Sequence, residues 1–391
     1  MLAIGAFAER ARLGPVMVFV FVWSTIVYDP IACWTWNASG WSFILGGLDF
    51  AGGTPVHISS GTAALAISIY LGKRRGYGTE RLAYKPHNTS YVVIGTVFLW
   101  FGWFGFNGGS ALSANLRACR RASSPTWLRL LAVLPGCSGC VRFRRRREHI
   151  VTLTLPQDYR LERKWSTVGF CSGAIAGLVA ITPGSGYVGS PAAVLFGFMA
   201  GTVCNFATQL KFYFGYDDCL DIFASHAIGG VVGNVLTGLF AQASVAGFDD
   251  IAAIPGGWLD HNYIQLGYQL ADSVSGMAYS FVMTTAILWA MHFIPGLRLR
   301  ASEEAEILGI DDTEMGEFAY DYVGLDFVAG GANGGFHDDV REDRGAIAGG
   351  REPQHSKLHM HDQGVEVQER GAAPGNHESA SASTVDEKAH S

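Results

Sequence analysis

Two histidines stand in matching settings. His57 lies in the stretch DFAGGTPVHISSG at 49–61 and His226 in DIFASHAIGG at 221–230. In both an aspartate precedes the histidine, the pattern H-x-x-x-G follows to Gly61 and Gly230, and small apolar residues come next. An imidazole can donate and accept hydrogen bonds and carry a proton, so the open chemistries are proton relay, holding of a small polar molecule, or metal ligation. His57, His226 and Asp49 would make a two-histidine, one-carboxylate zinc set. No clustered metal motif accompanies them, and no third strong ligand shares a face with either histidine, so neither a metal nor another cofactor is expected. A single histidine in an apolar span is often a packing residue. A matched pair instead favours a pathway role between two related halves. Asp49 keeps two readings, as a helix cap bracing backbone N–H groups or as part of a polar site.

These residues must be held by apolar helices. With 391 residues, 49% hydrophobic and only 16% charged, 50 glycines and a mean hydropathy of +0.20, the chain is too apolar for an ordinary soluble enzyme. Candidate spans fall at 15–28, 54–71, 90–113, 167–182, 190–210, 221–244 and 262–294, each near the length that crosses a bilayer. Their Gly, Ala and Ser content suits close packing in a membrane bundle. Thr54 and Pro55 are expected to start the helix that carries His57. The seven cysteines are scattered, with Cys137 and Cys140 the one close pair, and indicate no disulfide framework.

Basic residues orient the spans. Loops with Arg10 and Arg12, with Lys73, Arg74, Arg75, Arg81 and Lys85, with Arg160, Arg163 and Lys164, with Lys211, and with Arg298 and Arg300 are expected in the cytoplasm. Loops 29–53, 183–189 and 245–261 contain no Lys or Arg and are expected outside. The alternation fails once. Something between 114 and 166 must cross back, yet 123–140 is short, contains Arg129 and Pro135 and leads into RFRRRREHI. The abrupt break suggests that 119–157 departs from the native reading frame. The net charge of −6 belongs mainly to the acidic residues after 296, and nothing points to nucleic acid.

The segments IGAFAERARLGPVMVFVFVWSTIVYDPIACWTWN, LDFAGGTPVHISSG, GTVFLWFGWFGFNGGSA, WSTVGFCSGAIAGLVAITP, DDCLDIFASHAIGGVVGNVLTGLFA and GEFAYDYV resemble the ammonium transporter (Amt/Mep/Rh) family, most closely its fungal permeases. The resemblance runs in order through most of 1–118 and 158–323. It implies an all-α polytopic membrane bundle with inverted repeats, subunits of eleven helices joined as a homotrimer, a plasma-membrane location and a cytoplasmic C-terminus. It further implies that Trp36 and Ser110 form an outer ammonium site supported by Asp49. Phe106 would be the inner member of a phenylalanine gate, and His57 and His226 the twin histidines of the pore.

The physical logic suits those assignments. An ammonium ion leaving water finds a cation–π partner in an indole and a hydrogen-bond acceptor in a serine hydroxyl. Desolvation then favours the neutral amine, which would pass the histidines as ammonia. Phe106 and Ser110, four residues apart, share a helix face. The expected cargo is ammonium or ammonia, with methylammonium as analogue, in a lipid setting.

Against the family pattern the chain has no counterpart of the first two helices or of most of the third. The expected organisation is a transport domain at 1–300, a cytoplasmic region at 301–323 and a disordered tail at 324–391. A bundle short of helices should not seal a pore, so the chain expressed alone is expected to fail in methylammonium uptake. The alternative function is a non-transporting ammonium sensor or an inactive relative.

Overall fold

A long uncharged run can leave water only if each amide finds its carbonyl within the segment, which a helix provides. The chain does so as α1 (Leu13–Trp23), a π-helical turn (Ser24–Tyr28) and α2 (Asp29–Trp36), followed by the short α3 (Trp41–Leu45). A second π-helical turn (Gly53–Ile58) runs into α4 (Ser59–Leu71), and α5 spans Thr89–Gly109. Then come α6 (Thr167–Gly184), α7 (Ser190–Ala207) and α8 (Leu210–Phe214). A third π-helical turn (Phe223–Ile228) opens α9 (Gly229–Phe240), and α10 (Gln265–Phe293), α11 (Glu303–Leu308) and a further π-helical turn (Asp311–Met315) follow.

The computed structural model describes residues 2–77, 86, 88–114 and 166–317, all within the unit Met1–Tyr320. Expectations for Arg81, Lys85, Arg160, Arg163, Lys164, 119–157 and the tail beyond 317 fall outside those residues. Six helical runs among the described residues are long and apolar enough to cross a membrane, from Leu13–Leu45 to Gln265–Phe293. Side-chain caps start two of them. Asn88 accepts the Tyr91 amide at 3.2 Å and Ser166 the Gly169 amide at 3.0 Å.

Helix α4 packs on α10, while α6 is flanked by α5, α7 and α9. Phe19, Trp23, Ile31, Ile67 and Leu288 tie α1, α2, α4 and α10 into one buried cluster. Ile181, Phe196 and Leu236 join α6, α7 and α9 in another. Between lipid-embedded helices the gain is dispersion and hydrogen bonding more than water release. Hydrogen bonds between helices therefore recur, as from Trp23 Nε1 to Thr284 Oγ1 at 2.8 Å and from Ser280 Oγ to the Ser59 carbonyl at 2.6 Å. Phe21, Phe98 and Phe101 are about three-quarters exposed, which suits a face turned to hydrocarbon.

Basic residues from several described loops gather together. At one end Arg10, fully buried, pairs with Asp217 at 3.0 Å, and Arg74 meets the same carboxylate at 2.8 Å. The Arg12 amide bonds to the Leu299 carbonyl there, and Arg75 reaches Glu303 of α11 at 2.6 Å. Loops 29–53 and 183–189, which lack Lys and Arg, are joined in their turn. The Phe50 amide bonds to the Pro183 carbonyl, and the Gln242 amide to that of Tyr187, both at 2.9 Å.

Candidate functional site

The two histidine motifs meet at a reciprocal helix crossing. A Cβ on Gly61 would stand 2.3 Å from the Ala227 amide nitrogen, and Ala227 is the residue after His226. A Cβ on Gly230 would stand 2.7 Å from Cγ1 of Ile58, the residue after His57. Each H-x-x-x-G glycine thus clears space for the other motif, and the two histidines come to face each other. Both sit in π-helical turns, Gly53–Ile58 and Phe223–Ile228, where an extra residue per turn changes the direction of the side chains.

Each turn is preceded by an aspartate that takes free backbone amides. Asp49 Oδ1 accepts from Gly52 at 2.8 Å and Gly53 at 2.7 Å, and its Oδ2 accepts from Thr54 at 2.7 Å. In the second half the counterpart is Asp218, whose Oδ2 accepts the Phe223 amide at 2.8 Å. Asp49 and Asp218 both stand eight residues before their histidine. Asp221, the aspartate nearest His226 in sequence, instead pairs with Lys211 at 2.7 Å and has a left-handed backbone, φ 54°. Nor does Thr54 cap its helix. The helical turn begins at Gly53, Asp49 captures the amides, and the Thr54 hydroxyl is drawn to Asp272.

His57 and His226 are buried, with their Nδ1 atoms 3.2 Å apart and their rings tilted by 21° at 5.3 Å. A single proton between the two nitrogens makes one imidazole donor and the other acceptor. The outward nitrogens then differ in the same way, one bearing hydrogen and one bare. Among the described residues His57 Nε2 is buried with no hydrogen-bond partner. The indole of Trp103 lies over His57, 5.4 Å away and inclined by only 8°, and is itself fixed by a 3.0 Å bond from Nε1 to Thr182 Oγ1. Phe106 is 6.4 Å from His57 and 5.7 Å from Trp103. Sequence reasoning did not single out Trp103, three residues before Phe106 and on the same helix face. Asn107 was missed too, although it is 1% exposed and neither of its amide atoms has a partner among the described residues.

The remaining expected residues divide. Trp36 and Asp49 come together, the indole Nε1 donating to the Asp49 carbonyl at 3.0 Å, with the ring passing over Gly52. The Ser110 hydroxyl turns back to the Phe106 carbonyl at 2.8 Å, and among the described residues no hydrogen bond or ring contact joins it to Trp36. Behind the site Asp272 accepts from Ser42 at 2.5 Å and from Thr54. Asn234 Nδ2 donates to Thr54 Oγ1 and Ser273 Oγ, each at 2.8 Å. This network fastens α3, the first π-helical turn, α9 and α10 to one another.

Apolar helices long enough to span a bilayer, loops sorted by charge and a buried imidazole pair at a two-fold crossing define a polytopic α-helical membrane protein. The Ammonium Transporter Family matches residues 1–320, and the chain belongs to that family. Similar curated proteins include "Ammonium transporter 1" of Schizosaccharomyces pombe, 54% identical over 322 residues, or 82% of this chain and 61% of the relative. "Ammonium transporter MEP2" of Saccharomyces cerevisiae is 45% identical, with 82% of this chain and 62% of the relative covered. Among solved structures, Candida albicans Mep2 superposes with a TM-score of 0.68 at 48% identity, covering 78% of this chain and 63% of that one. The chain therefore spans about three-fifths of the length of these relatives. They are named as transporters, not enzymes.

Proposed function

We propose that the protein takes part in moving ammonium or ammonia across a membrane, and that His57 and His226 line the path. The imidazole pair carries this reading. One bare and one protonated outward nitrogen, in an apolar wall, offer hydrogen bonds of both senses to a neutral molecule that itself donates and accepts. Ammonia is such a molecule, and an ion would have to shed its hydration to reach it. Trp36 supplies an exposed indole for the cation before that step, and the ring of Phe106, close against Trp103 and His57, stands where the path narrows. Asp49 holds the backbone beneath Trp36, its three amide bonds bracing that end of the site. Ser110 acts as a hydroxyl acceptor for the incoming cation. Assembly as a homotrimer in the plasma membrane, with the basic loops and the C-terminus in the cytoplasm, is part of the same proposal.

The test isolates these residues. A chimaera carrying 1–114 and 166–317 in place of the matching segments of the Schizosaccharomyces pombe relative should support methylammonium uptake in transport-deficient cells. His57→Ala in that chimaera should reduce uptake at least tenfold. An inactive chimaera that reaches the membrane folded, or one indifferent to His57→Ala, would refute the reading.

A further inference from the structure

We infer that the chain binds one anionic phospholipid in the groove between α4 and α10, with its headgroup at the end of the bundle where the basic loops gather. The groove has a volume of about 580 Å³, within the range of sites that take small molecules. Ile69, Phe281 and Trp289 give it apolar walls, and Ile69 and Trp289 are about half exposed. Its mouth is polar. Tyr70 and His292 meet there, hydroxyl to Nδ1 at 3.1 Å, and Arg298 stands beside them.

Among the charged side chains that line the groove, Arg298 is the one without an ion pair among the described residues. Arg10 and Arg74 are paired with Asp217, Arg75 with Glu303, and Arg300 with Glu306. Arg300 is also spent on the carbonyls of Leu71 at 2.6 Å and Lys73 at 2.9 Å. Arg298 makes no hydrogen bond or ion pair among the described residues, although its charge acts on the Tyr70 hydroxyl. An exposed, uncompensated guanidinium at the mouth of an apolar trough between two membrane helices is complementary to a phosphate with acyl chains. An arginine fork binds phosphate oxygens in pairs, and Trp289 is an aromatic of the kind that settles at headgroup depth. A second copy packed groove to groove would cover the apolar walls but bring Arg298 no carboxylate, since none lines the groove. Charge thus selects the lipid.

The full chain, purified in detergent doped with phosphatidylserine or phosphatidylcholine, can be assayed for retained lipid by native mass spectrometry. Phosphatidylserine should be held about fivefold more tightly than phosphatidylcholine, and Arg298→Gln should remove that preference. Arg298→Lys should keep part of it, which separates loss of charge from misfolding. Arg75→Gln, at an exposed basic residue that does not line the groove, should leave it intact. Equal retention of the two lipids, or an equal loss in Arg75→Gln, would overturn the inference by showing only diffuse attraction to a basic surface. So would protection of an Ile69→Cys thiol by a second copy of the chain in lipid-free protein.

Discussion

Gly61 lies against the backbone of Ala227 so closely that residue 61 has no room for a Cβ, since the added atom would stand 2.3 Å from the Ala227 nitrogen. Across the pseudo-two-fold, Gly230 meets Ile58. The histidines approach each other because these glycines let their helices touch. Gly61→Ala should therefore push the helices apart and cost about 1–3 kcal/mol, as overpacking does. Gly230→Ala should cost a comparable amount, because its Cβ would meet Ile58 Cγ1 at 2.7 Å and the Gly53 carbonyl at 3.0 Å. Thermal unfolding in detergent reads both, and equal midpoints for wild type and Gly61→Ala would show that the crossing is not tight.

Trp103 orients His57 by lying over it and is anchored by Thr182. Trp103→Phe keeps a ring over the imidazole and loses one hydrogen bond, a cost of about 1 kcal/mol. Trp103→Leu loses the stack as well. In the chimaera, uptake should fall far more in the leucine variant than in the phenylalanine variant. Similar losses in the two would assign the effect to the Thr182 bond alone.

Asp272 receives hydroxyl hydrogens on both oxygens, from Ser42 and Thr54. In Asp272→Asn one acceptor becomes an NH2 donor. The Thr54 oxygen already accepts from Asn234, so a buried hydroxyl or amide is left unpaired. The expected loss is about 1–3 kcal/mol, read as a lower unfolding midpoint at neutral pH. An unchanged midpoint would mean that the carboxyl is already protonated in the native protein.

At the basic end two carboxyls respond oppositely to acid. Burial pushes Asp221 up to about 6, with the Lys211 charge pulling against it. Burial also works against the charge of Asp217, but hydrogen bonds from Arg74 and the charges of Arg74 and Arg10 hold it below the usual carboxylate range. The raised group contributes stability that is complete below its unfolded pKa and is lost as pH rises through about 6. The depressed group contributes stability present above its unfolded pKa and lost as pH falls below the carboxylate range. Relative to Asp221→Asn, the wild-type unfolding midpoint should therefore gain on acidification from pH 7 towards 4, and relative to Asp217→Asn it should lose as pH falls below that. A difference between wild type and Asp221→Asn that stays constant from pH 7 to 4 would contradict the assignment.

Asp217→Asn removes the counter-charge of Arg10, which has no exposed surface. Breaking a buried pair from one side costs about 3–5 kcal/mol. The variant should unfold at markedly lower temperature, while Glu303→Gln at the exposed Arg75 pair should change it little.

The amino-acid sequence determined the helical class, the order of the spans and the sorting of the loops by charge. Those properties follow from local composition, since an uncharged run and a basic loop declare their solvents without reference to anything distant. It also marked His57 and His226, because a repeated H-x-x-x-G is visible in one dimension. Tertiary structure alone decided what the repeat is for. That each glycine serves the other motif depends on two helices crossing 169 residues apart. The same holds for the choice of Asp218 over Asp221 as the partner of Asp49 in the symmetry. Which carboxylate reaches the free amides is set by where the chain turns, and here the nearer aspartate turns away to Lys211. Trp103 was hidden in WFGWFGF for a related reason. Several aromatic rings in a row look alike in sequence, and only packing shows which one lies over the imidazole.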